Sequence, residues 1–206
     1  MDHPLPPRDE SADPLVRAYA PPAMDERASP PPHARWFAPS AYLVSYVAAQ
    51  LAGLGCDLAT ITGTGSLFPI ALLVRLLAAV IGLAWLHEQW GRLPPHYQAI
   101  DGTPVSAGAI VGRHFIPVFG VLWLFQVHVA LCRALDLRLA EEGRPTGAPR
   151  GLAVAACTVW LAGRFAFAIS NAAGILCALA TAVLWAAYMV EIERMFALAF
   201  PRRAPR

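Results

Sequence analysis

Apolar residues in this chain gather in runs of about twenty, the length a helix needs to cross a bilayer core of roughly 30 Å. The first run extends from Pro39 to Cys56 and stops at Asp57, just ahead of the turn-like stretch Thr60-Ile61-Thr62-Gly63-Thr64-Gly65. The second extends from Ser66 to Trp85 or slightly beyond. Pro69 falls in its first turn, where a missing N–H is tolerated, and Pro94-Pro95 closes its far flank. A third, Phe115 to Leu135, follows a weaker apolar stretch, Ser106 to Gly112. The last, Gly151 to Val190, covers about 40 residues. As one helix it would measure roughly 60 Å, twice the bilayer core, so it must fold back. Ser170-Asn171-Ala172-Ala173-Gly174 is its best hairpin turn. The pattern therefore predicts an all-α membrane domain over 37–200, flanked by a Pro-rich tail at 1–36 and a short basic end at 201–206.

Composition agrees with the pattern. Apolar residues make up 57% of the chain and charged residues 15%, against about 45–50% and about 25% in soluble proteins. The mean hydropathy of +0.48 excludes an ordinary aqueous enzyme domain. Nine prolines and mixed charges in 1–36 leave nothing for a core to bury, so disorder is expected there. No basic segment followed by a short apolar run opens the chain, and a cleaved signal peptide is not expected. Cys56, Cys132, Cys157 and Cys177 stand singly, with no C-x-x-C pair, and read as free thiols filling apolar space.

The charges vote on topology. All sixteen basic residues are arginine, and a net charge of +2 implies no attraction to nucleic acid. Cytoplasmic loops collect arginine. If the first, second, fourth and fifth segments cross while the third stays on the cytoplasmic side, every arginine except Arg75 and Arg164 lies inside. Letting the third segment cross as well puts one of its arginine-bearing flanks outside. The expectation is four transmembrane helices plus one re-entrant or interfacial helix over 106–135, with both termini cytoplasmic; the alternative is five transmembrane helices. Trp36, Tyr42, Trp85, Trp90, Trp185 and Tyr188 fall near the predicted inner helix ends, where amphipathic rings form a belt.

The third segment carries a resemblance. Phe115-Ile116-Pro117, Phe125-Gln126 and Arg133-Ala134 match, without a gap, the F-I-P-x-x-N-x-x-x-P-Y-Q-x-x-x-x-x-W-R-A stretch of a bacterial membrane family, domain of unknown function 4328. Trp85 and Arg92 resemble that family's W-x-x-x-x-x-[NR] ending of the preceding span. Gly120, Leu124 and Cys132 depart from its usual Asn, Pro and Trp. The resemblance covers about residues 40–195, marks Phe115, Ile116, Pro117, Gln126 and Arg133 as family-like positions, and implies a bacterial inner membrane protein without an established activity.

Polar groups inside a membrane are costly and are functional candidates by default. Gln50, Arg75 and Thr181 fall near mid-depth of their segments. The expectation is that Arg75 faces the bundle interior and bonds Gln50, either as interhelical glue or as a site for an anion or lipid headgroup. Arg164, nearer the outer surface, is expected to snorkel to headgroups or pair with Asp57. His87, Glu88, Glu191 and Glu193 are raw material for a metal site or proton relay, but Gly91 occupies the place where a zinc-protease helix needs its second histidine. His114 and His128, fourteen residues apart, read as satisfied or solvent-facing. Ala178, Ala182 and Ala186 form a small-residue ridge suited to contact within the bundle or between protomers of a homo-oligomer.

The functional expectation is a non-enzymatic interaction or scaffold module in the lipid bilayer, meeting a protein partner through its tail, without metal or cofactor. A small oligomeric transporter or channel with a polar midplane site is the alternative.

Overall fold

The structure, a computed structural model, describes residues 38–63 and 67–200. The Pro-rich tail, Trp36 and the basic end at 201–206 lie outside the described residues, so the readings placed on them have no structural counterpart.

Six α-helices occur among the described residues. Helix α1 is Pro39–Ile61 and α2 is Phe68–Arg92, each with a proline in its first turn. A short helix α3, Ala107–Gly112, leads through a 3-10 turn at Arg113–Phe115 into α4, Phe119–Glu141. Helices α5, Arg150–Ile169, and α6, Asn171–Ala199, form the predicted hairpin. Ser170 separates them and caps α6, its hydroxyl accepting from Ala173 N at 3.1 Å. Both α1 and α6 run past their apolar segments, to Ile61 instead of Cys56 and to Ala199 instead of Val190. The extra turns carry polar residues that are paired across to neighbours.

All helices except α3 are long and apolar enough to cross a membrane, α4 among them. Large apolar side chains cover their outward faces: Val44 and Leu51 on α1, Leu73 and Val80 on α2, Phe165 on α5, Leu176 and Val183 on α6 are exposed. A surface of this kind belongs against lipid. The aromatic residues behave otherwise. Tyr42, Trp85, Trp90, Trp185 and Tyr188 are all buried, so the rings expected to form an interfacial belt build the interior instead. They turn inward because they meet one another edge to face, Trp85 on Tyr188 at 5.9 Å and Trp185 on Tyr188 at 5.6 Å.

The ends of the helices sort into two groups. At one end Arg75 pairs with Asp57 of α1 and lies 5.2 Å over the Phe167 ring of α5. At the other, Arg92 at the end of α2 pairs with Glu193 of α6 at 2.9 Å. The connection from α2 to α5 begins and finishes at this second end. Trp90 Nε1 donates to Val105 O at 2.7 Å, and Tyr97 donates to Glu141 at the end of α4. Burial and the Glu141 carboxylate push the Tyr97 phenol up to about 12, so it stays a donor. Arg144 donates to Leu198 O of α6. Asp136 accepts from Gly147 N, Ala148 N and Arg150 at 2.9, 2.8 and 2.7 Å, anchoring the start of α5.

Helix α3 rises and α4 returns, and the reversal between them is tightly built. Val118 has φ 62° and ψ −52°, and Phe119 N donates to Pro117 O at 2.6 Å, a γ-turn centred on a β-branched residue. Ile116, Gly120 and Val121 also donate their N–H groups locally, and Pro117 has none. Most of the tip's N–H groups are thus engaged locally, and its side chains Phe115, Ile116 and Val118 are exposed and apolar. Helix α4 is also the most enclosed long helix, with 44% of its most apolar window buried against 17–22% in the other four. A two-residue hairpin precedes α3: Ala99–Ile100 pairs with Thr103–Pro104 across Asp101-Gly102, both with positive φ, as a type I′ turn requires.

Two measurements follow from this arrangement. In a chain with its native cysteines replaced, Asp101→Cys and Pro145→Cys should react with an impermeant thiol reagent from one side of the membrane and Gly63→Cys from the other; labelling of 101 and 145 from opposite sides excludes the hairpin. A Cβ on Gly120 would overlap the His114 carbonyl. Gly120→Ala should therefore lower thermal stability by about 1–3 kcal/mol, whereas Gly91→Ala, in open space, should not.

Candidate functional site

A cavity of about 550 Å³ lies among α1, α2, α5, α6 and the α3–α4 reversal. Its walls bring together Gln50 of α1, Arg75 of α2 and Thr181 of α6, the three polar residues picked out at mid-depth. They do not bond one another. Gln50 Nε2 donates to the Tyr46 hydroxyl at 2.9 Å, Thr181 donates back to Cys177 O at 2.7 Å, and Arg75 donates to Asp57. The expected Arg75–Gln50 bond is therefore corrected to Arg75–Asp57. Helices α1 and α2 are antiparallel, with Gly82 beside Tyr46 and Arg75 beside Gly53, so Gln50 is level with about Ala78. Arg75 sits about 5 Å further along α2, beside a full negative charge.

Asp57 is thereby taken, and Arg164 does not pair with it. The Arg164 guanidinium stacks over Trp160 at 4.7 Å, on the cavity wall one turn from Phe167, which carries Arg75 on its ring. Among the described residues no hydrogen bond or ion pair engages Arg164. Aspartate and glutamate are missing from the cavity lining.

The far end of the cavity is aromatic. His128 of α4 is buried, its Nδ1 3.2 Å from the Tyr188 hydroxyl and its ring 4.7 Å from Trp185. Trp85 and Trp185 line the cavity, and their indole N–H groups are buried without an acceptor among the described residues. His114 bonds the Ile110 carbonyl through Nδ1 at 2.8 Å, which leaves Nε2 buried and unpartnered. Phe115, Ile116 and Pro117 also reach the wall, as part of the reversal. Of the other family-like positions, Gln126 is exposed, and Arg133 is exposed with Asp101 3.4 Å away. Neither is near the cavity.

Below the aromatic end a polar knot closes the bundle. Gln89 is fully buried and donates to Glu193 at 2.6 Å; Arg92 donates to Gln89 at 2.6 Å and lies 4.2 Å over the Phe196 ring. Gln89 escaped the sequence reading. Its signal is a neutral polar residue flanked by Leu86, Trp90 and Leu93, all buried, one turn before an arginine. The proposed His87, Glu88, Glu191 and Glu193 cluster is dispersed: Glu193 belongs to this knot and Glu191 pairs with Arg194 at 2.8 Å. No cluster able to hold a metal occurs among the described residues. All four cysteines are free.

No family model, curated protein or solved structure matches this chain. Its function must be argued from its own geometry.

Glu193→Ala removes the acceptor of two donors at a half-buried site. It should cost about 2 kcal/mol in thermal unfolding, and Glu193→Gln should restore part of the loss by keeping an acceptor for Gln89.

Proposed function

We propose that this multi-pass integral membrane protein is a binding protein, holding a small membrane-soluble molecule in the cavity between α1, α2, α5, α6 and the α3–α4 reversal. The observation that carries the reading is the cavity itself. Its volume of about 550 Å³ falls within the roughly 300–1,000 Å³ usual for small-molecule sites, and its mixture of apolar wall with a few convergent polar groups is also typical.

The polar knot of Gln89, Arg92 and Glu193, with buried Trp85, Trp90 and Tyr188 beside it, closes the cavity at one end. That favours a closed site over an open channel. A scaffold role exercised through residues 1–36 is compatible with a binding role and draws its support from composition alone. The α3–α4 hairpin is read as re-entrant, giving four spans, and the end carrying Arg92, Arg138, Arg144, Arg150 and Arg194 as cytoplasmic in an inner membrane. Membership of the family with domain of unknown function 4328 belongs to the same proposal, on Phe115, Ile116, Pro117, Gln126 and Arg133.

Trp85 and Trp185 in the wall supply an intrinsic reporter. A neutral brominated long-chain alcohol, added to the full chain in nanodiscs, should quench tryptophan fluorescence saturably. Gly82 has space beside it toward the cavity, and Gly82→Leu should weaken that quenching at least tenfold. Quenching that is linear in alcohol and unchanged by Gly82→Leu is ordinary lipid partitioning and overturns the reading.

A further inference from the structure

The charge of the cavity wall narrows the class of ligand. We propose that the site takes a single-chain anionic amphiphile, its phosphate or carboxylate head on Arg164 beside Arg75 and its chain extending toward Trp85 and Trp185. The proposal rests on the cavity being a binding site, as argued above.

Two guanidiniums face the cavity and no carboxylate does. Asp57 neutralises one of them, Arg75, from outside the lining. Arg164 is left with only the Trp160 face at 4.7 Å and no anionic partner among the described residues. A cation at membrane depth is stable when it reaches water or an anion. Arg164 lies about 8 Å along α5 from the Ser170 turn, deep enough for an anion to gain from reduced screening and shallow enough to meet a headgroup. A guanidinium offers a planar fork that matches phosphate and carboxylate oxygens. The wall below it is dominated by apolar side chains, which suits a hydrocarbon chain. The indole N–H groups of Trp85 and Trp185, buried and unpartnered, add to a lining rich in donors.

The cavity of about 550 Å³ is of the size that takes a small molecule, which favours one alkyl chain with its head over a two-chain phospholipid.

The test compares a brominated single-chain alkyl phosphate with the brominated alcohol of the same length, read by tryptophan quenching of the full chain in phosphatidylcholine nanodiscs. The phosphate should bind at least tenfold more tightly than the alcohol. Arg164→Gln should bring phosphate affinity down to that of the alcohol; Arg164 is exposed, so the variant should fold, as circular dichroism would confirm. Arg164→Lys should keep part of the preference. Nanodiscs containing phosphatidylglycerol should not compete away the phosphate. Equal affinity for phosphate and alcohol, or a preference that survives Arg164→Gln, overturns the anionic class while the cavity stands as a binding site. Competition by phosphatidylglycerol overturns the single-chain occupant in favour of a membrane lipid. Absence of saturable quenching by either probe overturns the binding reading itself.

Discussion

Helix α2 carries a guanidinium near each end, Arg75 and Arg92, about 25 Å apart along the helix, and each is tied to a carboxylate on a different helix. Arg75 pairs with Asp57 of α1, and Arg92 pairs with Glu193 of α6. In hydrocarbon an unpaired charge has no water to fall back on, so these pairings constrain which helix ends can lie together. With α1 packed on both α2 and α6, α2 tied to α6 through Glu193, and α5 folded onto α6 through the Ser170 turn, these four helices border a space that side chains alone do not fill.

The α3–α4 hairpin partly occupies that space from one side. Both of its ends are held at the Arg92 end of the bundle, by Trp90 on Val105 and by Tyr97 on Glu141. Its reversal depends on a γ-turn at Val118 and on the bare backbone of Gly120 beside the His114 carbonyl. Apolar side chains outside and locally bonded N–H groups inside suit a non-helical tip to a lipid environment. The hairpin leaves a cavity between itself, α2 and α5, and the guanidinium-bearing end of that cavity has an excess of positive charge. Closure at one end by Gln89, Arg92 and Glu193 and positive charge at the other give the site a direction.

Much of the architecture was legible in the residues. Runs of about twenty apolar residues located the long helices, and the stretch 170–174 located the hairpin, although only Ser170 is non-helical and 171–174 already belong to α6. The Asp-Gly hairpin at 101–102 went unread, although Asp-Gly is a turn signal. The partners of the polar residues were harder to read. Gln50 and Arg75 do lie within about one turn of each other in depth; what ending α1 at Cys56 hid is that the helix continues to Ile61, Asp57 comes within it, and a carboxylate outcompetes a neutral amide for a guanidinium. The aromatic residues show the same limit, because a ring near a helix end suits an interfacial belt as well as a core, and only the neighbours decide.

Hydrophobic pattern and charge skew together determined an all-α membrane domain, because the period and length of apolar runs answer directly to the thickness and dielectric of a bilayer. Which polar groups meet, that Gln89 is buried, and that a cavity lined by Arg75 and Arg164 without a carboxylate exists were decided by tertiary packing. Those outcomes depend on helix register and rotation, and a displacement of two residues along a helix moves a side chain about 3 Å and turns it through more than half a circle, a change to which the linear pattern of apolar residues is nearly blind.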